Sequence, residues 1–238
     1  MVDHQTVANQ FQKRVPVEVK LLDLVTRIVP SAFYLIVLIQ KVNEAYAFIV
    51  SGQGVGDPSQ SWKFFADVVS RFSTILFLGL LSILFIIRLE PIKKAKGILP
   101  RVLAVAGTFS MTVVTMFPRA DLSFTQTMIA GLISLLGTGL SVFALAHLGR
   151  SFSVMAEARR LVTSGPYRIV RHPLYVFEAV ASLGILFQFF SFYNVLIYLA
   201  HCFLQLQRMK NEEAVLEGAF PEYQSYRLKT ARVIPGVY

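Results

Sequence analysis

Apolar residues run along this chain in long blocks, and each block ends in a short polar, often basic, segment. The blocks are Leu24 to Ile39, Phe72 to Ile87, Ile98 to Phe117, Phe124 to Leu148, Leu174 to Phe190 and Phe192 to Leu206. A helix needs roughly 20 apolar residues to cross a bilayer core of about 30 Å, and shorter blocks suffice when flanking side chains snorkel. The pattern therefore predicts an all-α, multi-pass transmembrane bundle of five to six spans. The count turns on the first block, which Gln40-Lys41 and Asn43-Glu44 interrupt before Ala45–Val50 resumes. If that helix lies in the interface, five spans remain. The last two blocks form a tight hairpin around Ser191, and a short C-terminal helical segment follows. The chain thus divides into hydrophobic anchor helices, residues 1–148, and a C-terminal region, residues 149–238, where the polar motifs gather.

Composition agrees with this division. Hydrophobic residues make up 55% of the chain and charged ones 16%, and the mean hydropathy is +0.58, too apolar for an ordinary soluble domain. The net charge of +9 would suit nucleic acid, but the placement of the basic residues argues for topology instead. With the N-terminus cytoplasmic, segments 1–27, 88–101, 149–173 and 208–238 hold nineteen of the twenty-three Lys and Arg. That is the positive-inside pattern, and it puts both termini and the motifs on the cytoplasmic side of a membrane. The basic surplus then faces anionic lipid headgroups and not nucleic acid. Lys13, Arg14, Glu18, Lys20 and Asp23 break any early apolar run, so no cleavable signal peptide is expected.

One cysteine, Cys202, leaves no disulfide framework. His4, His147, His172 and His201 fall in different segments without ligand spacing, so no metal site is expected. Residues 52–60 hold three glycines in a loop between two apolar runs, which reads as a flexible external loop and not a dinucleotide fingerprint.

The chemistry concentrates in Gly165-Pro-Tyr-Arg-Ile-Val-Arg171-His172-Pro173-Leu-Tyr175, in Glu212-Glu213 and in Pro221-Glu-Tyr-Gln-Ser-Tyr226. Pro173 disfavours helical geometry at His172 and suits a first helical turn, so the fifth helix starts here with His172 near its N-cap. Its free N–H groups and positive dipole end make a seat for a carboxylate or phosphate, flanked by Arg168 and Arg171. Two polar stripes run on from the motifs at helical spacing. Tyr175, Glu178 and Ser182 share one face of the fifth helix; Tyr198, His201, Gln205, Arg208 and Glu212 share one face of the sixth. Ionisable groups at membrane depth are costly and face a bundle interior or a wet cavity. The stripes are thus expected to face each other across the hairpin and line a pocket open to the cytoplasm. Taken singly, each has a structural reading: Arg208 with Glu212 as a surface pair, Glu178 as a partner of Arg171 or Arg208, Tyr223 and Tyr226 as an interfacial belt.

Leu161-Val-Thr-Ser-Gly165-Pro-Tyr167, Arg171-His-Pro-Leu-Tyr175, Glu212-Glu213-Ala-Val-Leu216, Phe220-Pro-Glu-Tyr223-Gln-Ser-Tyr226 and Arg232-Val-Ile-Pro235 together resemble the isoprenylcysteine carboxyl methyltransferase and phospholipid methyltransferase superfamily. The likeness runs from about Leu148 onward. It implies S-adenosylmethionine bound between the last two helices and the C-terminal segment, with a lipophilic small-molecule or lipidated acceptor entering from the bilayer. By that likeness His172 and Tyr175 hold the amino-acid end of the cofactor, and Glu212 or Glu213 takes its ribose diol or ammonium. The stretch Thr163, Gly165, Pro166 and Tyr167 flanks adenine. Arg171 and Arg227 orient an anionic acceptor, with Tyr226 and Gln205 also on the acceptor side. An acceptor that must lose a proton would use His172 or Glu178 as base. Eukaryotic isoprenylcysteine enzymes read Gly-Val-Tyr and Arg-His-Pro-Ser-Tyr at these motifs. Here Gly165-Pro-Tyr167 and Arg171-His-Pro-Leu-Tyr-Val-Phe-Glu178 alter the acceptor wall and add an acid, a pattern closer to bacterial members of unassigned substrate.

Two other functions are compatible with the architecture. Membrane sterol and steroid reductases use an Arg-His-x-x-Tyr element and NADPH, but paired Glu212 and Glu213 suit a ribose diol and a cationic cofactor better than a 2′-phosphate. A non-catalytic transporter or assembly protein would bind neither cofactor.

Overall fold

The computed structural model describes residues 17–51 and 58–236, so most of the glycine-bearing loop at 52–60 and the basic residues Lys13 and Arg14 lie outside the described residues. The described chain forms seven α-helices: α1 (Val17–Val50), α2 (Pro58–Ile87), α3 (Leu99–Val114), α4 (Phe124–Leu148), α5 (Pro173–Gln188), α6 (Phe192–Glu217) and α7 (Tyr223–Lys229). Their starts follow local chemistry. The Ser123 hydroxyl accepts from the Gln126 amide while the Gln126 side chain takes the Ser123 N–H, a capping box for α4. The Ser191 hydroxyl caps α6 through Asn194 N, and proline occupies the first turn of α3 and α5.

α1 packs on α2, α2 on α4, α4 on α5 and α3 on α6. A core of Leu81, Leu84 and Phe85 from α2 closes against Leu145 of α4 and Phe152. The outer surface is the reverse of a soluble protein's: Ile36, Phe72, Leu136, Phe192 and Phe203 are all more than half exposed. Soluble monomers rarely show contiguous apolar patches beyond a few hundred Å², so this surface is suited to lipid, and the bundle is a transmembrane one. By length and apolarity alone, α1 from Arg27 to Val50 and α4 with its extension to Ser151 can cross a bilayer; Arg71–Ile87, Leu99–Val114 and Pro173–Gln188 are shorter apolar helices.

The structure departs from the expected pattern in four places. The polar break in the first block does not end its helix, because Lys41 and Gln40 both bind Glu44, at 2.7 and 3.1 Å, and satisfy the charges within α1. α6 does not stop at Leu206 but continues to Glu217. The bundle is not purely helical: β1 (Lys93–Lys94) pairs antiparallel with β2 (Glu157–Ala158). Finally, the α5–α6 hairpin has its tight turn around Ser191, but its legs part, since each packs mainly on another helix. α5 lies so close to α4 that a methyl at Gly137 would sit 2.2 Å from the Ala181 amide nitrogen, and one at Gly184 would meet Ser134 at 2.3 Å.

The β ladder gathers three basic segments at one end of the bundle. Leu89 N donates to Arg150 O and Arg150 Nε to Ile87 O, both at 2.8 Å, joining the α2–α3 and α4–α5 connections. Lys93 Nζ reaches Gly218 O at 2.8 Å, bringing in the end of α6.

Candidate functional site

Because α5 leans on α4 and α6 on α3, the hairpin legs part and leave a cavity of about 570 Å³. Both polar stripes line it. Tyr175, Glu178 and Ser182 face it from α5; His201, Gln205, Arg208 and Glu212 face it from α6. They meet across it: the Tyr175 hydroxyl donates to the Glu212 carboxylate, Gln205 Nε2 donates to Glu178 Oε2 at 3.4 Å, and the Arg208 guanidinium lies 5.0 Å above the Tyr175 ring. Tyr198, the outlying member, instead donates to Ala179 O at 3.2 Å, and His201 Nδ1 pairs with Ser110 Oγ at 2.8 Å on α3.

At the mouth, His172 is the N-cap of α5 and lines the cavity with Leu174 and Tyr175 of its first turn. Its backbone N–H donates to Arg232 O at 3.1 Å, and Arg171 N to Ala231 O at 2.8 Å, around a parallel bridge of Val170 with Ala231. The chain after α7 thus lies along the segment that opens α5. Tyr226 closes the same side by donating its hydroxyl to Tyr167 O at 2.6 Å.

Under this mouth sits a carboxylate with four close donors. Glu213 receives Arg171 Nε at 2.9 Å, His172 Nε2 at 3.1 Å, and Arg232 through both Nε at 3.0 Å and a terminal nitrogen at 2.7 Å. Burial pushes the Glu213 carboxyl up, but hydrogen bonds from His172, Arg232 and Arg171 outweigh it and hold the carboxyl well below its ordinary range. Its neighbour responds oppositely: burial raises Glu212, against the pull of His172 and Arg208. Burial, with the Glu213 charge adding to it, also raises the Tyr226 phenol to about 12 against Arg171, so it stays a hydrogen-bond donor. Glu212, Glu213 and Tyr226 all lie beyond the apolar part of α6.

Several expected site residues take other roles. Glu213 is not among the residues lining the cavity; its carboxylate is bound by Arg171, His172 and Arg232. Arg171 touches the cavity edge, yet its guanidinium also donates to the Arg227 and Thr230 carbonyls and so holds the C-terminal strap. Arg227 stands outside the cavity in solvent, 3.5 Å from Glu217. Of the stretch assigned to adenine, Tyr167 lines the cavity with Leu161 and Val162, while Thr163, Gly165 and Pro166 stand off it. Gly165 is needed for another reason: its φ is +59°, and a methyl there would lie 2.2 Å from His147 Cδ2. His172, Tyr175, Glu178, Gln205, Tyr226 and Glu212 are brought together as expected.

Other wall residues carry no signal in the motifs. Tyr34 of α1, Phe77 of α2 and Gly107, Thr108 and Met111 of α3 come from the anchor half. Arg159, whose terminal nitrogen meets Glu157 Oε2 at 2.5 Å, is fully buried in the wall; the basic pair Arg159-Arg160 beside a glycine-proline turn was the available clue. Among the described residues no group of three or more His, Cys, Asp or Glu is placed to hold a metal ion.

Residues 129–218 match the family model of the isoprenylcysteine carboxyl methyltransferase (ICMT) family. The cobalt-zinc-cadmium resistance protein CzcN of Cupriavidus metallidurans is 33% identical over 106 residues, 42% of this chain and 49% of that protein. The nickel-cobalt-cadmium resistance protein NccN of Alcaligenes xylosoxydans xylosoxydans is 30% identical, over 43% of this chain and 50% of that protein. The protein-S-isoprenylcysteine O-methyltransferase of Schizosaccharomyces pombe is 35% identical, over 46% of this chain and 49% of that protein. The chain spans about half the length of the curated relatives it matches. A solved structure of the eukaryotic intramembrane Ras methyltransferase ICMT aligns with 90% of this chain and 96% of its own, at 18% identity and a TM-score of 0.48. Residues 129–218, which carry most of α4, all of α5, the 161–175 motif and Glu212, are thus similar in sequence to the isoprenylcysteine carboxyl methyltransferase family.

Proposed function

We propose that the chain is an integral-membrane methyltransferase that uses S-adenosylmethionine and passes its methyl group to a lipophilic acceptor. One observation carries the reading: a single cavity joins a polar mouth made by His172, Tyr175 and Glu212 to an apolar flank that includes Phe77 and Met111. A charged cofactor suits the first and a greasy body the second. The name of the Schizosaccharomyces pombe relative supports the same reaction class.

The residues present fit the cofactor. Glu212, on the cavity wall, suits an ammonium or a ribose diol through charge-assisted hydrogen bonds. The start of α5 offers its positive end to a carboxylate. Tyr167 and Tyr223 line the cavity, and among the described residues their buried hydroxyls have no hydrogen-bond partner. Bound there, S-adenosylmethionine would supply an electrophilic sulfonium methyl. The protein's part is to align the acceptor with it and exclude water, for which the apolar flank and the Tyr226 closure are suited. In this reading the functional unit is residues 149–238 together with the anchor helices that complete its wall, six helices cross the membrane, and the basic end gathered by the β ladder faces the cytoplasm.

The test is calorimetric binding of S-adenosylhomocysteine to the detergent-purified protein, with NADPH in parallel and His172→Ala as control. Micromolar binding of S-adenosylhomocysteine that is lost in the variant is expected. Binding of NADPH instead would place the chain with the reductases, and binding of neither would make it non-catalytic.

A further inference from the structure

We infer that a second pocket, formed by the C-terminal strap and Arg171, is a binding site for the headgroup of an anionic phospholipid. The inference goes beyond the methyltransferase reading and stands or falls without it.

The pocket has a volume of about 310 Å³ and is lined by Arg171, Arg227, Lys229 and Arg232. Among the described residues no acid lines it. Arg171 and Arg232 share the Glu213 carboxylate and so stand fixed in the wall. The other two cations are less committed. Arg227 approaches Glu217 only at 3.5 Å, with both side chains about half exposed, a pair worth little to the fold. Lys229 is exposed and bound to no acid among the described residues. Two fixed guanidinium groups thus stand beside two cations available to a ligand. Arginine and lysine together receive a phosphate with hydrogen bonds as well as charge, so the anion that fits is a phosphate group.

The level of the pocket decides between a lipid and a soluble anion. Val170 bridges Ala231, and Arg171 N donates to Ala231 O at 2.8 Å. The strap therefore lies beside the residues that open α5, whose apolar run begins at Leu174, and this is the depth at which headgroups meet acyl chains. The segments that frame the pocket also carry outward apolar side chains: Leu228, Ile169 and Ile234 are all more than half exposed. Cations beside protruding aliphatic groups suit the boundary of a bilayer, where the first meet headgroups and the second enter the acyl region. A basic pocket at that level is suited to an anionic headgroup. A soluble phosphate would satisfy the cations alone and leave the three aliphatic side chains in water.

The experiment titrates the full-length protein, in a neutral maltoside detergent, with dioctanoyl phosphatidylglycerol and with dioctanoyl phosphatidylcholine, which match in chain length and differ in charge, and with inorganic phosphate. The rise in melting temperature gives each dissociation constant. Phosphatidylglycerol is expected to bind about tenfold or more tightly than phosphatidylcholine. Two double variants locate the site. Arg227→Gln with Lys229→Gln takes two charges from the pocket, and Lys96→Gln with Arg101→Gln takes two from exposed positions that do not line it. The first should lose most of the preference and the second should keep it within about twofold.

Equal binding of the two lipids by the wild type would overturn the inference. Equal losses in the two double variants would do so as well, since they would report diffuse attraction to a basic surface. Inorganic phosphate binding as tightly as phosphatidylglycerol would make this a site for a soluble anion and overturn the lipid. The wild-type series decides the matter even if a variant does not fold.

Discussion

The His172 ring and the Glu213 carboxylate lie 3.1 Å apart, Nε2 to Oε1, across forty-one positions of sequence. Arg171 and Arg232 bind the same carboxylate, the latter as a two-pronged fork. A buried acid so surrounded is a mechanical anchor: it fixes the imidazole at the start of α5 and pins the chain after α7 against it.

Removing that acid takes from two guanidinium groups the carboxylate they share. Glu213→Gln is expected to cost about 3 kcal/mol, as for other buried pairs deprived of one partner. The anchor also sets an acid limit. Since the folded carboxyl lies below its unfolded value, its contribution is complete above the unfolded value of about 4.3 and is lost as pH falls below it. Thermal unfolding from about pH 6 to about pH 3 should therefore show a steeper decline for the wild type than for Glu213→Gln. Parallel curves would mean that Glu213 is not the group responsible.

Glu212→Gln probes the other acid, the one on the cavity wall. S-adenosylhomocysteine binding is expected to weaken by about 1 to 3 kcal/mol, the usual loss for a charged hydrogen bond. Calorimetry giving an unchanged affinity would remove Glu212 from the cofactor site.

Arg227→Ala separates site from surroundings. Its pair with Glu217 is long and both side chains are about half exposed, so a stability change under about 1 kcal/mol is expected. S-adenosylhomocysteine affinity should be unaltered, and a fall of tenfold in titration would return Arg227 to the site.

Glycine substitutions in α4 test the lean of α5. Gly137→Ala places its methyl into the Ala181 backbone and should cost about 1 to 3 kcal/mol, as other overpacked positions do. Gly139→Ala, one turn-half away with nothing within 4 Å, should be neutral or gain up to about 1 kcal/mol in helix propensity. Equal melting temperatures for the two variants would contradict the close α4–α5 contact.

Much of this arrangement was legible in the chain. Pro173 announces where α5 begins, and the spacing of Tyr175, Glu178, Gln205, Arg208 and Glu212 announces one polar wall, because a helix repeats its faces every three to four residues. What periodicity cannot express is which distant residue answers which. Nothing local ties Arg232 to Glu213, so sequence gives no sign that of two adjacent glutamates Glu212 stands on the cavity wall and Glu213 among Arg171, His172 and Arg232. A ladder of two residues at Lys93–Lys94 and Glu157–Ala158 is too short for any strand pattern. Tyr34 and Met111 reach the cavity from helices that read only as apolar.

The bridge between Val170 and Ala231 also orders events during synthesis. The helices up to α6 can enter the membrane as the ribosome makes them, yet the rim of the cavity is incomplete until residues 223–232 have been translated and fold back onto a segment made some sixty residues earlier. Until then the polar groups of the wall stand open to water, and a ribosome stalled inside that last stretch would hold an inserted protein with an unsealed pocket.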